Sequence, residues 1–264
     1  MLQKLTLPQK ILIYAALVLL ALVILFPIYY MISISLKLPK DIYRTPSILP
    51  LNATLQNYVE LFGKMNFLRN IGNSLIVAGA STLISVFISC MAAYSLVRLK
   101  YRFRDWIGKL ILFTYLTPGA LLFISLAVII NYLRLGNTLQ GLIFVYLTFA
   151  APLSTWLMMG YYASIPKEME EAAMIDGCNH FQAFWKVVLP LVMPALMAAS
   201  MFAVTLAWKE FIFAYIFLSK DKLYTLTIGM AQMIIGDVMP WGELWAAVLL
   251  MSITVEFLYM VGQR

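Results

Sequence analysis

Four carboxylates, Glu168, Glu170, Glu171 and Asp176, crowd one short polar stretch of an otherwise apolar chain. The chemistry they offer is charge-assisted hydrogen bonding to a partner surface. Covalent or metal chemistry finds no support: there is a single histidine, His180, two distant cysteines, Cys90 and Cys178, and no Gly-x-Ser-x-Gly elbow. A phosphate loop is missing too. The two Gly-Lys pairs, Gly63-Lys64 and Gly108-Lys109, have Tyr58 and Phe103 where the leading glycine must stand. A second group is Lys209 with Glu210, inside an apolar run. A charge at the centre of a bilayer costs roughly 2.5 to 3.5 kcal/mol, so such residues are functional candidates by default. Adjacent helical residues point about 100 degrees apart, so each of these needs another partner. At about 1.5 Å per residue from Leu191, Lys209 lies about 27 Å along its helix, toward the outer leaflet. From there it either snorkels outward or lines a solute pathway with Glu210. Asn131 is a further pathway candidate, although interhelical hydrogen bonding accounts for it, as for Asn73 and Glu256.

The elements that must position these groups can be read from local signals. Pro166 suits a first helical position, and Glu168, Glu170 and Glu171 put negative charge where a helix N-terminus favours it. Gly177 supplies a left-handed stop. Asn179 and Gln182 can cap a second short helix running through Phe181, Phe184 and Trp185 to Pro190. The stretch 163–190 therefore reads as a helical elbow between two apolar runs. His180, just past the turn, reads as a solvated or interface residue rather than a pH switch.

Composition says what solvates the rest. Of 264 residues 63% are hydrophobic and 12% charged, against about 25% charged in soluble domains. The net charge of +7 does not imply nucleic acid, because Lys and Arg fall in loops beside apolar runs, where they set orientation. Two cysteines make no disulfide framework and read as free thiols. A membrane-crossing helix needs about 20 apolar residues. Six runs qualify: 11–36, 71–97, 110–133, 139–162, 191–218 and 244–261. Pro27, Pro118, Pro152 and Pro194 kink these runs, so neighbouring helices must satisfy the freed carbonyls. The first run exceeds a signal-peptide core and reads as a retained helix. The expectation is one all-α transmembrane domain over residues 1–264.

Sidedness follows from Arg98, Lys100, Arg102, Arg104 and Lys109, a basic cluster in a short loop that belongs in the cytoplasm. Six spans then put both termini and the 163–190 elbow there as well. The loop before the second run is long and carries Lys37, Lys40, Arg44, Lys64 and Arg69, but long loops weigh less. Its Pro46, Pro50, Asn52 and Asn57 read as ordered turns.

The elbow resembles the EAA loop of binding-protein-dependent ATP-binding cassette importers, with Glu171-Ala172-Ala173, Asp176-Gly177 and Leu189-Pro190 at the family spacing. Asn70-Ile71-Gly72-Asn73-Ser74, Ala92-Ala93-Tyr94-Ser95-Leu96-Val97-Arg98, Asn137-Thr138-Leu139-Gln140-Gly141-Leu142, Pro152-Leu153-Ser154-Thr155-Trp156-Leu157-Met158 and Trp241-Gly242-Glu243-Leu244 look like the maltose-type carbohydrate branch, its smaller permease partner in particular. Two departures stand out. Lys209 follows Trp208 where the branch usually has Asn, and the chain stops at Gln263-Arg264 without the branch's short Gly-rich tail.

The resemblance implies the type I importer permease fold of six transmembrane helices, with a coupling helix between the fourth and fifth. It implies a prokaryotic inner-membrane transport subunit that is not itself an enzyme and holds no cofactor. ATP and magnesium would be bound by two separate ATPase subunits. The other partners implied are a second, homologous permease, an external or periplasmic solute-binding protein and a sugar or related polyol. Glu171, Ala172, Ala173, Asp176, Gly177, Leu189 and Pro190 carry the coupling role by this resemblance. The alternative is an ion-gradient-driven secondary transporter, which calls for inverted repeats and discontinuous helices with carboxylates near the midplane; neither a convincing repeat nor a central acidic pair stands out in this sequence.

Overall fold

The computed structural model describes residues 6–44, 47–50, 52–64, 66–234 and 239–262. Among them the regular structure is helical. Contacts divide the chain into two compact units, residues 1–65 with 230–254, and 66–229 with 255–264.

The first unit begins with α1, Leu7–Ser35, in which almost every residue is apolar and outward-facing. Such an all-round apolar helix is stable in lipid, not in water. Its end is tied down by polar bonds. Ser33 Oγ donates to the Ile48 carbonyl (2.7 Å), and the Thr54 amide donates to the Leu36 carbonyl (2.8 Å). Two short helices follow, α2 at Pro39–Arg44 and α3 at Gln56–Lys64. The expectation of an ordered segment here holds in part. Pro50 and Asn52 lie outside helices, Pro46 is outside the described residues, and Asn57 belongs to α3 rather than to a turn. Buried Asn57 donates to the carbonyls of Ser35 and Lys37 at 2.8 and 2.7 Å, replacing the partners those groups lack at the end of α1.

The second unit is built on α4, Phe67–Arg98. Small and polar residues recur along its buried face: Ser74, Ala78, Ser81, Ser85, Ser89 and Ala93. In lipid there is no hydrophobic drive between helices, so close approach over small side chains is what holds spans together. Opposite runs α7, Leu139–Ser164, capped by the Thr138 hydroxyl accepting from the Gly141 amide at 3.0 Å. Ser89 Oγ donates to the Ala151 carbonyl (2.8 Å) across this pair. The third wall is α11, Met193–Lys209, which buries Ala195, Ala199, Ala203 and Ala207, every fourth residue.

Two expected spans are broken. Over 110–133 there are two helices, α5 at Arg104–Leu116 and α6 at Phe123–Tyr132, with a single 3-10 turn, Gly119–Leu121, between them. Pro118 forces Thr117 into an extended conformation (ψ 125°), which ends α5. Over 191–218, α11 stops at Lys209, Glu210 is extended (ψ 132°), and a short helix, α12, resumes at Ile212–Phe217. The expected runs 11–36, 71–97, 139–162 and 244–261 correspond to α1, α4, α7 and α14, Trp241–Gly262, each long and apolar enough to cross a membrane. A 70° bend separates His180–Leu191 from α11. It falls at Val192, between Pro190 and Pro194, where neither proline can donate a helical hydrogen bond.

Candidate functional site

The elbow folds as expected at its glycine turn and second cap, but Pro166 lies before the first helix rather than at its first position, and the second helix expected to run to Pro190 breaks after Ala183. Its first arm is α8, Glu168–Ile175, with Glu168, Glu170 and Glu171 in the first turn. Pro166 precedes the helix, and its carbonyl accepts from the Met169 amide at 3.4 Å. Gly177, at φ +90°, closes the arm. The Cys178 amide reaches back to the Ala173 carbonyl (3.0 Å) and the Gly177 amide to that of Met174 (3.1 Å), the paired bonds of a glycine-terminated helix. The second arm is α9, His180–Ala183. Asn179 Oδ1 accepts from the Gln182 amide (2.8 Å), and Gln182 Oε1 accepts from the Asn179 amide (3.1 Å). A π turn, Phe184–Val188, and a short helix, α10 at Leu189–Leu191, lead to the bend.

The two faces of α8 differ in kind. Glu171, Ala172, Asp176 and Gly177 are exposed, and Ile175, one turn from Glu171, is 87% exposed. An aliphatic side chain held out between carboxylates makes a surface suited to docking. Ala173 faces inward, so of the alanine pair only Ala172 presents its methyl group outward. Leu189 is half-buried and Pro190 exposed.

On the inner face, Glu170 is buried and its Oε1 meets Arg98 Nε at 2.6 Å. Tyr94 Oη donates to Glu170 Oε2 (3.1 Å), and Arg98 Nη2 donates to the Ile165 carbonyl (2.7 Å). The guanidinium thus joins the end of α4, the end of α7 and the start of α8. Beneath it, the Tyr94 ring meets Phe184 edge-on at 4.7 Å. Cys90, Met158, Tyr162, Val188, Val192 and Ala195 continue this core. Both thiols are free, Cys90 buried and Cys178 half-exposed. Sequence reasoning missed the Glu170, Arg98 and Tyr94 cluster, as well as Ile175. The signal available was Arg98 closing an apolar run, read for orientation and for the family resemblance but not as a partner of Glu170.

Of the pathway candidates, Lys209 and Glu210 line one cavity and Asn131 does not. Glu210 Oε2 accepts from Tyr146 Oη (2.8 Å) and the Ala214 amide (3.0 Å), while its Oε1 accepts from the Phe213 amide (2.9 Å). It therefore caps α12 and is held by α7. Lys209 is exposed and lines a cavity of about 490 Å³ that also takes in Thr114, Tyr115, Phe149 and Phe211. Asn131 is exposed on α6 beside Gly136 and does not line that cavity. Asn73 Nδ2 donates to the carbonyls of Lys222 (3.0 Å) and Tyr224 (2.9 Å), which fastens the segment leading into α13, Leu226–Ala231, onto α4.

Apolar helices packed through small residues, with a polar elbow carried between two of them, define a multi-pass membrane protein. Residues 85–264 match the model of the binding-protein-dependent transport system inner membrane component family, and the chain belongs to that family. It is an inner-membrane permease subunit, not an enzyme. It is 33% identical over 254 residues to the inner membrane ABC transporter permease protein YcjP of Escherichia coli, covering 95% of this chain and 91% of that one. It is 32% identical over 260 residues to the trehalose/maltose transport system permease protein MalG of Thermococcus litoralis, covering 97% and 93%. Its fold is similar to that of a bacterial ABC transporter chain involved in import of the acidic polysaccharide alginate, with TM-score 0.83, 23% identity and 98% of both chains covered.

Proposed function

We propose that this chain is the permease subunit of an ATP-driven importer for a sugar or related polyol, coupled to separate ATPase subunits through residues 163–190. Residues 1–264 act as a single permease domain alongside a second, homologous permease. A solute-binding protein delivers the solute, and the partner ATPases bind ATP and magnesium. The carbohydrate assignment is supported by the trehalose/maltose relative.

One observation carries the coupling role: α8 offers Glu171, Ala172, Ile175 and Asp176 outward while Glu170 on its other side is bolted to Arg98. A helix presented in this way can take a push on one face and pass it to the spans through the other. Glu171 makes charged contacts with the ATPase, Ala172 lets its surface approach, and Gly177 holds the turn that aims the helix. Ala173 and Leu189 support the elbow from within, and Pro190 stands exposed just before the bend. ATP-driven closure of the ATPases draws the coupling helices together and opens the solute path outward; hydrolysis resets it.

Gly177→Asp and Glu171→Lys are expected to abolish ATP-dependent uptake while the chain still inserts and the binding protein still binds its ligand. Wild-type uptake with either substitution would rule out the coupling role. Co-purification in mild detergent should bring down an ATPase subunit with the wild-type chain.

A further inference from the structure

The two broken spans meet. Thr117 and Gly119 at the α5 to α6 break, and Lys209 through Ile212 at the α11 to α12 break, line one cavity of about 490 Å³. A Cβ on Gly119 would lie 3.5 Å from the Phe213 ring, so the breaks are in van der Waals reach of each other. Interrupted backbone at membrane depth is tolerated only where it is buried in protein or lines a water-filled cavity. The volume falls within the roughly 300 to 1,000 Å³ of small-molecule sites.

The charges in this cavity are unequal in availability. The Glu210 carboxylate already accepts from Tyr146 and two backbone amides. Thr114, Thr117 and Thr148 donate their hydroxyl protons to carbonyls within their own helices. Lys209 is exposed to the cavity, and among the described residues no carboxylate lies within ion-pair reach of it. Among the described residues the one uncommitted charge lining this cavity is therefore positive, with Tyr115, Phe149 and Phe211 beside it as flat apolar surfaces on which a sugar ring can rest.

We infer that this cavity is a solute subsite in which Lys209 holds the acidic group of an anionic sugar: a carboxylate, phosphate or sulfonate. The inference rests on the importer reading and narrows its substrate class. The same ammonium could instead hold an anionic lipid headgroup, and the test separates the two sources.

The complete complex, with its ATPases and binding protein, is reconstituted into proteoliposomes of phosphatidylcholine alone and into liposomes containing phosphatidylglycerol. ATP-dependent uptake is measured for a neutral disaccharide, maltose, and for a uronic-acid disaccharide, a sugar phosphate and a sugar sulfonate. An acidic member of the panel is expected to be carried. Lys209→Met should lower its uptake by about ten-fold, the scale of one charged hydrogen bond, in both lipid mixtures, and Lys209→Arg should restore most of it. Recovery of the assembled complex in detergent shows that each variant folds. Uptake of maltose alone, or acidic-solute uptake unchanged by Lys209→Met, overturns the subsite and leaves the importer intact. An effect of Lys209→Met confined to phosphatidylglycerol liposomes overturns it in favour of lipid. No ATP-dependent uptake of any solute by the wild type overturns the importer reading and the subsite with it.

Discussion

Arg98 and Glu170 are both withdrawn from water, with side-chain exposures of 6% and 11%, and desolvation decides how they respond to mutation. Removing one partner leaves the other charge buried and unpaired. Glu170→Gln or Arg98→Met is therefore expected to destabilise the chain by about 3 to 5 kcal/mol. Replacing both with apolar residues removes both desolvation costs, so Arg98→Met with Glu170→Met should recover much of that loss. Thermal unfolding in detergent reads the two effects. Uptake separates stability from force transmission, since the double variant has lost the bond joining α8 to α4. A double variant that is stable and transports at the wild-type rate would show that the pair is needed for folding alone.

At the scale of elements, the break after α11 is held open by one carboxylate. Glu210 accepts from two amides of the first turn of α12 and from the Tyr146 hydroxyl. Thr227 Oγ1 meanwhile donates to the Glu210 carbonyl (2.8 Å), so the extended residue is fixed on both sides. Glu210→Ala strands these donors and is expected to cost about 1 to 3 kcal/mol. Glu210→Gln keeps the carbonyl oxygen and should cost less. Melting temperatures in detergent test the order, and equal loss for both would mean that the charge, not the acceptor geometry, holds the break. The short helix itself was hidden in the sequence, because Ile212–Phe217 resumes the apolar run directly after Lys209 and Glu210 with no glycine or proline to mark a break. Pro118, by contrast, announced a kink, yet only the fold shows that it divides the third run into separate helices.

For the molecule as a whole, sidedness is the property on which the coupling role depends, and the two thiols report it. Cys90 is buried and Cys178 half-exposed, so a membrane-impermeant thiol reagent should label Cys178 alone. Labelling is expected in inside-out vesicles and absent in right-side-out ones, as the basic loop 98–109 requires. Labelling from the outside would reverse the assumed topology.

The sequence by itself determined the solvent, the class of fold and the elbow. Lipid demands long apolar helices, and Gly177, Asn179 and Gln182 act within a few residues of themselves, so their signals survive without tertiary context. Tertiary structure alone decided which carboxylate faces inward, which alanine is hidden, and that Glu210 serves a helix while Lys209 is exposed in a cavity. Glu170 and Glu171 are adjacent and chemically alike; what separates them is one step of about 100 degrees around a helix, and whether Arg98, 72 residues away, stands behind it.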